Sequence, residues 1–227
     1  MNRRPLPLYE EILLLALDDD QGTTGGAGFY CNAMGGAILA ELAMIGSISI
    51  ADDKQKKVSV GRRGALEDSI LEECRTMVEK EKKTKKAAEW VMKFAKLKDL
   101  KNRAARQLVD KGILTEETGS VLKIFKRTIF PEADGGPEKE LRERMKKAIF
   151  TSSTNLEART VVIIALAQAA GMLNKIFPKK KLKERKKRLD QLTSGQLAGK
   201  ATAEAVQAVQ AAIAVAVIMP ALYSASN

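Results

Sequence analysis

Lys98 and Lys101 stand three residues apart in the stretch KDLKNRAARQLVDKGILTEETGSVLKIFKRTIFP, residues 98–131. Residues three apart are neighbours on a helix. The spacing therefore predicts two ammonium groups side by side, able to bracket one phosphate as point charges without arginine's bidentate fork. An interfacial cation contributes about 1 kcal/mol toward an anionic leaflet, so two alone give weak attachment. Arg3 and Arg4 are candidates for added charge. Val121, Leu122, Ile124 and Phe125 are candidates for membrane insertion or self-association. Two such side chains would contribute a few kcal/mol at ~25 cal/mol per Å² of buried apolar surface.

The elements that must present these groups are a basic helix, a stop and a hairpin. Leu100, Ala104, Leu108 and Val109 recur on one helical face, with Lys98, Lys101, Arg103 and Arg106 on the remainder. Gly112 falls where a helix end favours positive φ. Ile113-Leu114 and Val121 to Phe125 flank a polar turn containing Gly119, which predicts a β-hairpin. Its alternating residues fit a core face as well as an inserted one. Helix, then Lys-Gly-Ile-Leu, then hairpin also resembles the outline of a winged-helix nucleic-acid-binding protein, the alternative function.

Composition narrows the partners. The 227 residues suffice for one helical domain with a real core. Lys and Arg number 39 against 28 Asp and Glu, a net charge of +11 that favours a polyanionic partner. With no histidine, histidine-dependent zinc sites and Ser-His or Cys-His catalysis are excluded within this chain. Cys31 and Cys74 cannot build a disulfide framework, which fits a reducing compartment, and both read as packed thiols. Asn2-Arg3-Arg4 leads into a leucine-rich segment without a small-residue cleavage pattern, so no signal peptide is expected. The longest apolar runs, Val161 to Ala170 and Ala211 to Met219, fall short of the ~20 residues of a spanning helix.

Along the chain, residues 1–5 read as a basic tail, 6–220 as a single domain and 221–227 as a second tail. Leu6 to Leu17 and Phe29 to Ile45 are apolar helices, the second rich in Ala and Gly for close packing. Between them, residues 18–28 read as a loop. Ser47 to Ala51 and Val58 to Val60 form a hairpin pattern. Amphipathic helices follow at Leu66 to Glu81 and around Trp90 and Phe94, and another opens at Gly135-Gly136-Pro137. Thr154 and Glu157 match a capping box opening a helix from Leu156 to Phe177, apolar all round through Ala170 and so the expected buried centre. A last helix is expected over Ala201 to Met219. The fold class is mainly α, a single domain with a buried central helix, amphipathic outer helices and one or two β-hairpins.

Other chemical candidates carry plainer readings. Glu10 and Glu11 are adjacent, do not face each other on a helix, and read as capping or surface residues. Gly22, Gly25, Gly26 and Gly28 lack the preceding strand and following Lys-Ser/Thr of a phosphate loop and read as a plain loop. Trp90 reads as a packing residue. The run KKKLKERKKR at 179–188 is a solvated amphipathic face, or a contact for a membrane or nucleic acid. No nucleophile–base pair, metal cluster or cofactor motif stands out, so a non-enzyme without cofactor is expected.

Four segments resemble the Golgi phosphoprotein 3 family. They are Leu6-x-Leu8-x-Glu10-Glu11-Ile12-Leu13-Leu14-Leu15-x-Leu17, Gly36-Ala37-Ile38-Leu39-Ala40-Glu41-Leu42-Ala43-x-x-Gly46, Arg103-x-x-x-x-Leu108-Val109-Asp110-Lys111-Gly112-Ile113-Leu114-Thr115, and the apolar helix Arg159 to Leu173. They occur in family order across nearly the whole chain, and the Ala-rich Gly36 to Glu41 segment is closer to the bacterial-type branch. The resemblance implies a helical fold with β-hairpins and a peripheral membrane protein recognising phosphatidylinositol 4-phosphate. It implies a cytoplasmic location at a membrane, the cytosolic face of the Golgi in a eukaryote. By the same resemblance, partners include cytosolic tails of membrane proteins, and the hairpin mediates homo-oligomers. The family's lipid pocket uses a tryptophan, an arginine nine residues later and two basic residues three apart. The basic pair matches Lys98 and Lys101, whereas the arginine falls at Gly35 and the tryptophan at Gly26 or Ala27.

Overall fold

The computed structural model describes residues 5–18, 23–24, 29–62, 64–121, 125–154 and 156–194. Arg3, Arg4, the glycines at 22, 25, 26 and 28, Ala27, Leu122, Ile124 and the expected helix over Ala201 to Met219 lie outside them.

Helix α1 (Leu8–Ala16) is buried from Leu8 through Leu15, its two glutamates included. Its neighbours are α2 (Phe29–Met44), α5 (Leu100–Asp110), α6 (Gly136–Phe150) and α7 (Ala158–Ala169). Helix α2 also packs along α4 (Ala87–Ala95). Small residues set that approach: a Cβ at Gly35 would collide with Val91 O and lie 2.8 Å from Ala95 N. The central position expected of the later apolar helix is shared, since α7 is buried from Thr160 to Ala167 alongside α1 and α2.

Gly46 closes α2 at φ 73°, with Ser47 N–H donating to Leu42 O at 2.9 Å. The hairpin of β3 (Ile48–Ile50) and β4 (Val58–Val60) follows as expected, pairing Ile48 with Val60. Helix α3 (Ser69–Lys80) starts where Asp68 accepts from Ile70 and Leu71 N–H at 3.0 and 2.9 Å. A short antiparallel pair, β1 (Leu17–Asp18) with β2 (Thr23–Thr24), occupies part of the stretch read as loop.

Three boundaries differ from the sequence reading. The second hairpin pairs β5 (Glu117–Val121) with β6 (Phe125–Ile129), and Gly119 lies within β5 opposite Arg127 rather than in the turn. Ile113 and Leu114 belong to neither strand; right after Gly112 (φ 70°) they enter the core, 2% and 3% exposed. Helix α7 starts after Glu157, without a Thr154 cap, and ends where Gly171 takes φ 70°. Met172 N–H then donates to Ala167 O at 2.8 Å, so the segment to Phe177 is split, with a short α8 (Leu173–Ile176).

The basic run forms α9 (Lys179–Glu184) and α10 (Lys186–Thr193), pinned by buried Leu182, Leu189 and Leu192 with its lysines exposed.

Candidate functional site

The α4–α5 connection carries the candidate site. Helix α4 is fixed by Trp90, Val91 and Phe94, all buried, with the Trp90 and Phe94 rings 5.5 Å apart. Trp90 is thus a packing residue; Lys93 Nζ lies 4.7 Å above its ring and 2.7 Å from Glu81. Helix α5 is held by Leu100, Ala104, Ala105 and Leu108. Between the two helices the chain turns at Asp99, whose φ is 56°.

That turn corrects the placement of Lys98. Helix α5 starts at Leu100, so Lys98 sits on the connection before it and only Lys101 is helical. The left-handed backbone of Asp99 interrupts the helical path that would have stacked the two lysines on one face. Lys98 is exposed and Lys101 half-buried, so both remain at the same end of α5.

The first turn of α5 contains no acidic residue, and no side chain caps it. The aligned peptide dipoles leave partial positive charge there, adding to the two lysines. Asp99 is turned to other partners: its carboxylate lies 2.5 Å from Asn102 Nδ2 and 3.5 Å from Arg106. Two cations of α5 are paired at the surface. Arg103 meets Glu73 at 2.5 Å, and Arg106 meets Glu116 at 3.4 Å.

Gly35 packs against the last turn of α4, at Val91 and Ala95, just before this connection. The α2–α4 crossing has no room for a side chain there. Val121 and Phe125 form the last paired register of the second hairpin.

The charged groups least visible in the sequence are the buried ones. Glu10 and Glu11 are 0% and 5% exposed, contrary to a surface role. They lie in a helix buried on every side from Leu8 to Leu15, which leaves no dry-to-wet boundary for them to occupy. Lys111 binds Glu10 at 2.5 and 2.6 Å, and Arg144 binds Glu11 at 2.6 Å. Burial pushes the Glu10 carboxyl up to about 7 despite Lys111, with Asp68 and Glu11 adding to the rise. Burial likewise raises Glu11 against the pull of Arg144 and Arg159. Glu41 pairs with Arg159 at 2.7 Å. Cys74 is a buried thiol, its pKa raised chiefly by burial, and Cys31 is partly exposed.

A cleft of about 570 Å³ opens beside this cluster, between Leu6-Pro7, the start of α3 and the end of α5. It presents Glu67, Asp68 and Asp110 against Lys111, a lining unsuited to phosphate. Among the described residues there is no metal-binding group of His, Cys, Asp or Glu, and no helix long and apolar enough to cross a membrane.

Comparison with known proteins now gives these features a frame. The family model described as Golgi phosphoprotein 3 (GPP34) matches residues 8–209. Vacuolar protein sorting-associated protein 74 of Eremothecium gossypii is 25% identical over 205 residues, covering 76% of this chain and 61% of the relative. The chain thus spans about three fifths of that relative's length. Since the family match extends from the start of α1 to beyond α10, the chain belongs to the Golgi phosphoprotein 3 family.

Proposed function

We propose that this protein is a non-catalytic peripheral membrane protein that binds anionic phospholipid headgroups at the α4–α5 connection. The observation behind the reading is that exposed Lys98 and half-buried Lys101 flank the start of α5, which no side chain caps. Two ammonium groups and a helix N-terminus suit a phosphomonoester better than a neutral headgroup. Family membership supports phosphatidylinositol 4-phosphate as the ligand.

The closed position at Gly35 shapes the specificity expected. Without an arginine there, the site recognises phosphate mainly through point charge, so discrimination among phosphoinositides is shallower than in a pocket with a guanidinium fork. The hairpin ending at Val121 and Phe125, with Leu122 and Ile124 between them in sequence, would add apolar contact or self-association, and Arg3 and Arg4 further charge. Membrane-protein tails are the proposed partners. The setting is the cytoplasmic side of a membrane, the Golgi in a eukaryote.

The winged-helix alternative requires an unbroken cationic helix. On α5, Arg103 and Arg106 are instead paired with Glu73 and Glu116, which favours the membrane reading. Liposome flotation tests it. The protein is expected to float with vesicles containing phosphatidylinositol 4-phosphate and to stay behind with neutral ones; equal flotation with both, or none with either, contradicts the proposal.

A further inference from the structure

The run from Lys179 to Arg188 holds eight cations and one carboxylate, Glu184. The structure divides them by residue type. Arg185 donates to Phe150 O at 3.1 Å. Arg188 donates to Ala148 O at 3.1 Å and also to Ser153 O. These carbonyls belong to the last turn of α6 and the loop after it, where a helix leaves acceptors unsatisfied and its dipole favours cations. Both arginines therefore fasten α9 and α10 to the body, together with buried Leu182, Leu189 and Leu192.

The six lysines do something else. Lys179, Lys180, Lys181, Lys183, Lys186 and Lys187 are all exposed, and none has an ion-pair partner among the described residues. Residues 195–227 carry only Lys200 and Glu204 as charged groups. The result is a dense positive ledge fastened to the body, separate in sequence and in supporting elements from Lys98 and Lys101: it rests on α6 and α7, they on α4 and α5.

We infer that the α9–α10 ledge is a second membrane contact, one that binds anionic bilayers by diffuse charge without selecting a headgroup. It rests on the membrane reading above for its setting, but uses different residues. The choice of bilayer over nucleic acid follows from the chemistry of the exposed groups. They are lysines, strongly hydrated point charges that lack the guanidinium fork for bases and phosphates. No aromatic residue lies within 179–194 to stack on a base. A dense lysine surface instead suits a laterally fluid array of anionic headgroups, which can gather beneath it.

The test uses the full chain with vesicles of phosphatidylcholine, either alone or mixed with phosphatidylglycerol, and no phosphoinositide. Wild type is expected to partition onto the phosphatidylglycerol vesicles and to be released by salt. The variant Lys180→Gln/Lys183→Gln/Lys187→Gln, which leaves every buried leucine and bonded arginine in place, is expected to lose at least about tenfold in partition, because each lysine near an anionic surface is worth about fivefold. Its thermal melt should match wild type. On vesicles with added phosphatidylinositol 4-phosphate, it should retain the gain that this lipid produces, whereas Lys98→Gln/Lys101→Gln should lose that gain and retain the phosphatidylglycerol term. An unchanged response of the latter variant to phosphatidylinositol 4-phosphate would therefore count against the headgroup site alone. Unchanged partition of the triple variant onto phosphatidylglycerol overturns the ledge, as does absence of wild-type binding to those vesicles. Loss of duplex-DNA affinity in the triple variant with vesicle binding intact reassigns the ledge to nucleic acid.

Discussion

Glu41 on α2 binds Arg159 on α7 at 2.7 Å through one carboxylate oxygen and accepts the Leu8 N–H of α1 at 2.8 Å through the other. Arg159 completes the arrangement by donating to Leu6 O at 2.5 Å. Helix α1 begins at Pro7 without a side-chain cap of its own, so α2 supplies from a distance what an N-cap residue usually supplies locally. One ion pair thereby joins the three most buried helices at the point where the chain enters the core.

Breaking one side of that pair should be severe. Glu41→Ala leaves Arg159 charged in a largely buried position and removes the acceptor for Leu8 N–H. A loss of about 3–5 kcal/mol is expected, as for other buried pairs cut on one side. Urea unfolding at neutral pH measures it; a loss below about 1 kcal/mol, the range of an exposed pair, would contradict this role.

Gly35 makes a second expectation. Its missing Cβ lets α2 approach the backbone of α4 at Val91 and Ala95, and backbone cannot swing aside as a flexible side chain can. Gly35→Ala should lower stability by about 1–3 kcal/mol through overpacking, even though alanine favours helix. The denaturation midpoint should fall with the slope unchanged; a midpoint at or above wild type would show that α4 has room to shift.

Glu10 sets a pH dependence. Its carboxyl is raised from 4.5 to about 7 in the folded chain, first by burial and then by Asp68 and Glu11, with Lys111 opposing. The folded state therefore holds a proton that the unfolded state releases between those two values. The contribution is fully present below about pH 4.5 and is lost as pH rises through 7, on the order of 3 kcal/mol. Glu72 and Glu81, whose pKa values are lowered by Arg75 and Lys93 respectively, act in the opposite sense at more acid pH. Stability from urea titrations should thus decline between about pH 4.5 and 7, and Glu10→Gln should flatten that decline. A decline of equal size in the variant would assign it to other groups.

The sequence made local features readable wherever one residue type settles the backbone. Gly112 and Pro137 marked a helix end and a helix start, and alternation in Ser47 to Ala51 marked a strand. Interruptions that depend on a conformation rather than a residue type were harder to read. Asp99 can be helical or left-handed, and its left-handed φ moves Lys98 out of α5. Gly171 takes the same φ of 70° as Gly112, but the apolar pattern running on past it masks the signal. The buried carboxylates were least legible, because Glu10, Glu11 and Glu41 find their cations roughly a hundred residues or more away, at Lys111, Arg144 and Arg159. Only tertiary packing brings those together. What local sequence did offer was the surrounding run of leucines, which leaves a carboxylate in α1 no solvent to face.

The headgroup site itself is tested most directly by reversing its charge. Lys98→Glu/Lys101→Glu alters one exposed and one half-buried side chain at the end of α5, and its fold is checked by an unchanged circular dichroism spectrum. Quantitative co-sedimentation with vesicles containing phosphatidylinositol 4-phosphate should show wild type bound and the folded double variant without the increment that this lipid gives over phosphatidylglycerol. If the double variant keeps the full increment, the α4–α5 connection is not where this protein meets its lipid.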